Sequence, residues 1–143
     1  MLFSDAKGHK VVSTDNADTV AKVSGFVVDA RSRLVVAIEV KKTKAGEVIV
    51  WSDLKHFGQD AVTIESEDKI TDATGDVETL SHKDHSVLGK RVMTTAGADI
   101  GTVKDVDFDP ESGSITSLIL ESESVPGVDL VGAGSYAVVV RKS

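Results

Sequence analysis

The chain has 143 residues, 41% of them hydrophobic but only 4% aromatic, so disorder is disfavoured and a core has to be built mainly from Val, Ile and Leu. It contains no cysteine, which excludes a disulfide scaffold, a thiolate metal site and a thiol nucleophile, and fits a reducing compartment. The formal net charge of -7 is uneven: residues 1–70 hold 10 Lys/Arg against 11 Asp/Glu, whereas residues 71–143 hold 6 against 12, a balance that disfavours nucleic acid as the main partner.

MLFSDAKGHK (1–10) lacks the basic start and long apolar run of a signal peptide, and no stretch approaches the ~20 apolar residues of a membrane span. A cytoplasmic location is the resulting expectation. Lys10–Ser13 reads as a first strand, followed by a turn at TDNAD (14–18) and a longer strand over 19–28. Val23 and Phe26 are three residues apart, so for both to face inward an extra residue must be absorbed at Ser24–Gly25, as in a β-bulge. The turn DARSR (29–33) contains neither Gly nor Pro and is expected to be loose; LVVAIEV (34–40) returns as a strand. A loop with three lysines, KKTKAG (41–46), leads to the strand EVIVW (47–51). SDLKHFG (52–58) reads as one short helical turn between Ser52 and Gly58, and AVTIE (61–65) closes the series. Residues 66–87 read as a linker with a short helix inside DVETLSHKDHS (76–86), anchored by Leu80.

The pattern then recurs. GFVVDARSRLVVAIEV (25–40) aligns without a gap on DVDFDPESGSITSLIL (105–120), an offset of 80, and the register extends back to Val12 against Val92. The second turn, DPESG (109–113), has the Pro and Gly that the first lacks. AVTIE (61–65) matches AVVVR (137–141) at an offset of 76, which implies that SDLKHFG is lost in the second copy, with VDLV (128–131) replacing EVIVW and VGAGSY (131–136) a flexible connection. The domain reading is a first repeat over 1–65, a linker over 66–87 and a second repeat over 88–143.

GADIGTVKDVDFDPESGSITSLIL (97–120) resembles the PRC-barrel family: a Gly, Ile-Gly-x-Val-x-Asp-Val, an apolar-Asp turn and a hydrophobic strand. DTVAKVSGFVVDARSRLVVAIEV (18–40) and VIVWSDLKHFGQDAVTI (48–64) resemble the same family. The resemblance implies a small, highly bent barrel for each copy, hence an all-β fold; the inequality of the two copies adds the expectation that they pack as a pseudo-dimer. The family's members act in a photosynthetic reaction-centre subunit, a ribosome-maturation factor and archaeal proteins linked to cell division, and share macromolecular binding rather than chemistry.

No catalytic motif is visible, and no cofactor is expected: there is no nucleophile elbow, no HExxH and no GxGxxG after a strand. Asp105, Asp107 and Asp109 alternate as at the start of a calcium loop, but Pro110 stands where that loop needs Gly and Thr116 where it needs an acid, so turn chemistry is the simpler reading. His82 and His85, with Asp84 between and His9 or His56 as distant third ligands, form a weaker metal pattern. Lys41, Lys42 and Lys44 form a basic tip, and Trp51 is either a barrel plug or an exposed anchor; these four residues are the candidate interaction surface. The leading expectation is a non-enzymatic protein-interaction module, with self-association as one form of it. An RNA-processing or ribosome-assembly accessory, by family analogy, and a small-ligand or calcium-binding protein are the alternatives.

Overall fold

A computed structural model of the chain describes residues 1–82 and 85–141. The helix α1 (Phe3–Ala6) leads into β1 (Lys10–Ser13), β2 (Asp18–Asp29), β3 (Leu34–Val40), β4 (Val48–Val50), a single 3-10 turn over Trp51–Asp53, β5 (Leu54–Phe57) and β6 (Ala61–Ile64). A second 3-10 turn, Glu67–Lys69, precedes α2 (Gly75–Ser81). Then come β7 (Arg91–Thr94), β8 (Asp99–Thr102), β9 (Asp105–Phe108), β10 (Ile115–Ile119), β11 (Ser124–Pro126), a 3-10 turn over Gly127–Asp129, β12 (Leu130–Ala133) and β13 (Val138–Val140). The expected all-β character holds, with strands far outweighing helices.

The first half forms one sheet in the order β4-β3-β2-β1-β6-β5. In the second half the orders β11-β10-β9 and β12-β13-β7-β8 follow the same plan, with β8 and β9 together in the place of β2. The pairings match residue by residue. Val28 opposite Val35 corresponds to Phe108 opposite Ile115, and Phe57 opposite Val62 corresponds to Ala133 opposite Val138. The register shift expected at Ser24–Gly25 lies between Val23 and Gly25, whereas in the second half the strand breaks outright at Val103–Lys104.

Several details differ from the sequence-based reading. Val11, not Val12, occupies the buried position of Val92: Val11 pairs with Ala21 and Val92 with Gly101, so the first hairpin holds one residue more between the matched partners. Residues 52–58 are not a helical turn: a 3-10 turn ends at Asp53, and Leu54–Phe57 pair with β6 as a strand. The second half retains both features, as the turn Gly127–Asp129 and the strand β12, so SDLKHFG has not been lost and VGAGSY begins as a strand rather than a connection. VDLV therefore does not replace EVIVW; β11 stands opposite β4 in the scheme. The four-residue fall in offset lies in the loop before it. Val40 N–H donates to Glu47 O (2.9 Å), but Leu120 N–H donates to Glu123 O (2.8 Å), so the basic loop 41–47 is the longer of two versions of one connection.

The turn 29–33 is not loose either. Asp29 Oδ1 accepts the Arg31 N–H at 3.1 Å, as Asp109 Oδ1 accepts the Glu111 N–H at 2.9 Å. Arg33 sits at φ +61°, where Gly113 has φ +80°. These two turns meet at the seam between the halves: Val35 N–H donates to Gly113 O (2.8 Å) and Ile115 N–H to Arg33 O (2.9 Å), around a bridge between Leu34 and Ser114. One continuous apolar core, with Ile38, Ile49 and Ile64 on one side and Val106, Leu118 and Leu130 on the other, runs across that seam.

The segments ahead of each half cross over. Helix α1 packs mainly on β9 of the second half, and α2 packs on β2 of the first. Residues 66–82 are thus ordered, with Ile70 buried and Thr71 bridged to Val48; Val87 is buried too, although its neighbour Leu88 is 46% exposed. The expected linker helix is α2, which begins at Gly75, one residue ahead of the expected segment, with Thr74 at its N-cap position. Lys83 and Asp84 lie outside the described residues.

Candidate interaction surface

The two sheets present different outer faces, although they are built on the same pairings. In the second half Met93 on β7, Val131 on β12 and Val139 on β13 point away from the core, flanked by Tyr136 in the β12–β13 turn. The residues at the same places in the first half are Val12, Lys55, Thr63 and Asp60. Three polar or charged positions thus become Val131, Val139 and Tyr136. Val131 is 39% exposed and Tyr136 66% exposed, and Val128, just ahead of the strand, is 68% exposed. Met93, Val131, Tyr136 and Val139, together with Arg31 and Ala133, line an open groove of about 590 Å³.

Tyr136 is held in place. The Arg91 guanidinium lies 5.1 Å from its ring centroid and donates to the phenol oxygen at 2.8 Å, while Arg91 Nε also pairs with Asp99 Oδ2 at 3.3 Å. A preset aromatic ring on an apolar sheet face needs little ordering on contact, which is what makes such residues effective in binding. The signal was present in the sequence as the outward alternate residues of AVVVR, but reading it required the pairing of β13 with β7.

The residues singled out from sequence do not converge on this face. Lys41, Lys42 and Lys44 are exposed on the β3–β4 loop, whose base is fastened by Glu47 and Val48 N–H groups donating to Thr71 O (both 3.0 Å). Trp51 is half-buried in an aromatic cluster: its ring stacks on Phe57 at 5.9 Å, meets Phe108 edge-on at 6.2 Å and covers Gly113. The three aspartates are divided among separate tasks. Asp105 accepts the Ser4 N–H (3.2 Å) and hydroxyl, Asp107 accepts the Met1 amino group (2.8 Å), and Asp109 caps its turn. Histidine placement is also dispersed: His9 lies 6.0 Å from the Phe57 ring, His56 and His82 are exposed, and His85 Nδ1 is 3.4 Å from Ala133 O. Among the described residues no group of three His, Asp or Glu side chains is arranged to hold a metal. Among them, too, no helix is long and apolar enough to cross a membrane.

One carboxylate has an unusual setting. Gly25 leaves room for the Glu39 side chain, whose Oε1 lies 2.8 Å from where a Cβ at Gly25 would be. Burial there, with the nearby charge of Glu47 adding to it, holds the Glu39 carboxyl above its ordinary value.

Residues 81–140 match the family model for the PRC-barrel domain. The match ends with the last residue of β13 and leaves residues 1–80 outside it. The matched span is a barrel-like β module. No curated protein matches the chain.

Proposed function

We propose that the chain is a non-enzymatic interaction module made of two tandem PRC-barrel-like units, 1–65 and 88–143, joined by 66–87 and locked as a pseudo-dimer, with the outer face of β7, β12 and β13 as the docking face for a protein partner. The observation that carries this reading is the exchange of Lys55, Asp60 and Thr63 for Val131, Tyr136 and Val139 at matching sites of the two sheets. Contiguous exposed apolar side chains of this kind mark contact surfaces in soluble proteins. The first unit, polar at those sites, serves as the scaffold against which the second is held. A cytoplasmic location fits this role.

The test is affinity capture from the native cytosol with wild type and with Val131→Asp, together with light scattering of each. A partner, or a second copy of the chain, retained by wild type and lost from Val131→Asp at unchanged Tm supports the reading. Equal retention by the two proteins, or a strictly monomeric wild type that captures nothing, removes it. Tyr136→Ser provides the same comparison at a residue 66% exposed, where folding is not at stake.

A further inference from the structure

The matched pairings allow the two flanks of the seam to be compared side chain by side chain. On one flank all four phenylalanines and the tryptophan gather. Phe57 and Phe108 lie 5.5 Å apart, Phe26 is 5.5 Å from Phe108, Phe3 stacks on Phe26 at 4.0 Å, and Trp51 closes over Phe57. On the other flank the places of Phe57, Phe108 and Trp51 are taken by Ala133, Val28 and Gly127. Among the described residues no Phe or Trp takes those places; Leu80 and His85, whose Nδ1 is 3.4 Å from Ala133 O, border the gap instead. A hollow of about 420 Å³ opens there, lined also by Ala30 and Leu80, with Arg31, Asp76, Thr79 and His85 among its polar groups.

The hollow opens to solvent at a seam whose other flank is filled by rings, so it is accessible to a ligand from outside. The volume is in the range of small-molecule sites, and the lining combines apolar walls with a few polar groups, as such sites do. The rim carries both charges. The Arg31 guanidinium makes no ion pair or hydrogen bond among the described residues, and Asp76 lies in the first turn of α2 without an ion pair among them. The Asp29 carboxylate is already engaged by the Arg31 backbone N–H.

We propose that this hollow is a binding site for a small zwitterion carrying one flat ring, an aromatic amino acid in chemical class. The ring takes the space between Val28, Leu80 and Ala133 that Phe57 and Phe108 fill on the opposite flank. The carboxylate meets Arg31, a planar fork suited to it, and the ammonium group meets Asp76, with Thr79 beside it. This site adjoins the apolar sheet face and shares Arg31, Gly132 and Ala133 with it, but Val28, Leu80, Asp76 and Thr79 line the hollow and not that face.

Amide-resolved NMR titration of the full chain with L-phenylalanine tests the proposal, with benzoate and phenethylamine as single-charge controls. Saturable shifts at Ala30, Arg31, Leu80 and Ala133, with each control binding about tenfold more weakly for the charged contact it lacks, are the expected result. Ala133→Phe fills the hollow and abolishes the shifts. Arg31→Gln and Asp76→Asn, on the exposed rim and neutral to folding, each weaken binding about tenfold if Ala133→Phe fails to fold. Absence of saturation at millimolar phenylalanine overturns the proposal, as do shifts that map to Val131 and Tyr136 and survive Ala133→Phe. Benzoate binding as tightly as phenylalanine overturns the zwitterion assignment.

Discussion

Arg33 and Gly113 occupy one backbone position in two versions of the same turn, at φ +61° and +80°. Glycine takes that conformation without steric cost, whereas an arginine there carries a penalty of about 1 kcal/mol. The compensation lies 97 residues away, where Arg33 Nε donates to Leu130 O at 2.9 Å. Gly113 was legible in the sequence because Gly after Asp-Pro signals a left-handed residue. Arg33 was not, because no local pattern reports a partner in the other half. Glu39 supports a prediction at the same scale. Its carboxyl is raised above the ordinary 4.5 by burial and by Glu47, so the folded state binds more protons than the unfolded chain as pH rises past that value. The favourable contribution is complete below 4.5 and is lost as pH rises through the folded value. Glu39→Gln is therefore expected to raise Tm near neutral pH and to leave it unchanged below the ordinary carboxylate value, as read by thermal denaturation across that range.

Elements were legible where local pattern and pairing agree. Lys10–Ser13 is predicted and found, and the β2 irregularity falls beside Gly25. The misreading at 52–58 arose because Ser52 and Gly58 look like a helix cap and stop. A helix that short gains little from its own hydrogen bonds, and pairing Leu54 with Ile64 and Phe57 with Val62 outweighs it. The shortening, which lies in the β10–β11 connection relative to β3–β4, was mislocated because WSDL and GVDL share only their last two residues, and Trp51 facing Gly127 hides the match. Within the longer loop, Gly46 has φ +143°, and a Cβ there would lie 2.2 Å from the Thr71 carbonyl carbon. Gly46→Ala is expected to undock the loop and cost at least about 2 kcal/mol in denaturant unfolding, with faster hydrogen exchange at Val48 and Thr71.

At the scale of the molecule, the shared plan of the halves does not make them independent. Phe3 of the first segment packs on Phe26 and Phe108 together, and the two turns exchange backbone hydrogen bonds at the seam. Domains joined only by a linker melt separately, but a core that crosses the boundary couples them. The full chain is therefore expected to unfold in one calorimetric transition with equal calorimetric and van't Hoff enthalpies. Residues 1–65 and 88–143 produced separately should lack cooperative transitions. Two resolved transitions, or either piece folding alone, contradict this. The candidate site was the least legible scale. Met93, Val131 and Val139 are separated in the sequence, and only the pairing of β13 with both β7 and β12 makes them one face.

The crossed leading segments also bear on how the chain is made. Synthesis runs from the N-terminus, yet α1 finds its seat on β9 more than a hundred residues later, and β2 receives its cover only when α2 has been made. While the first half is emerging, Phe3 has no Phe108 to meet, so an apolar helix and an uncovered sheet face wait together. The completed fold is thus a late event of translation, and the nascent first half is the species with the greatest need of a chaperone.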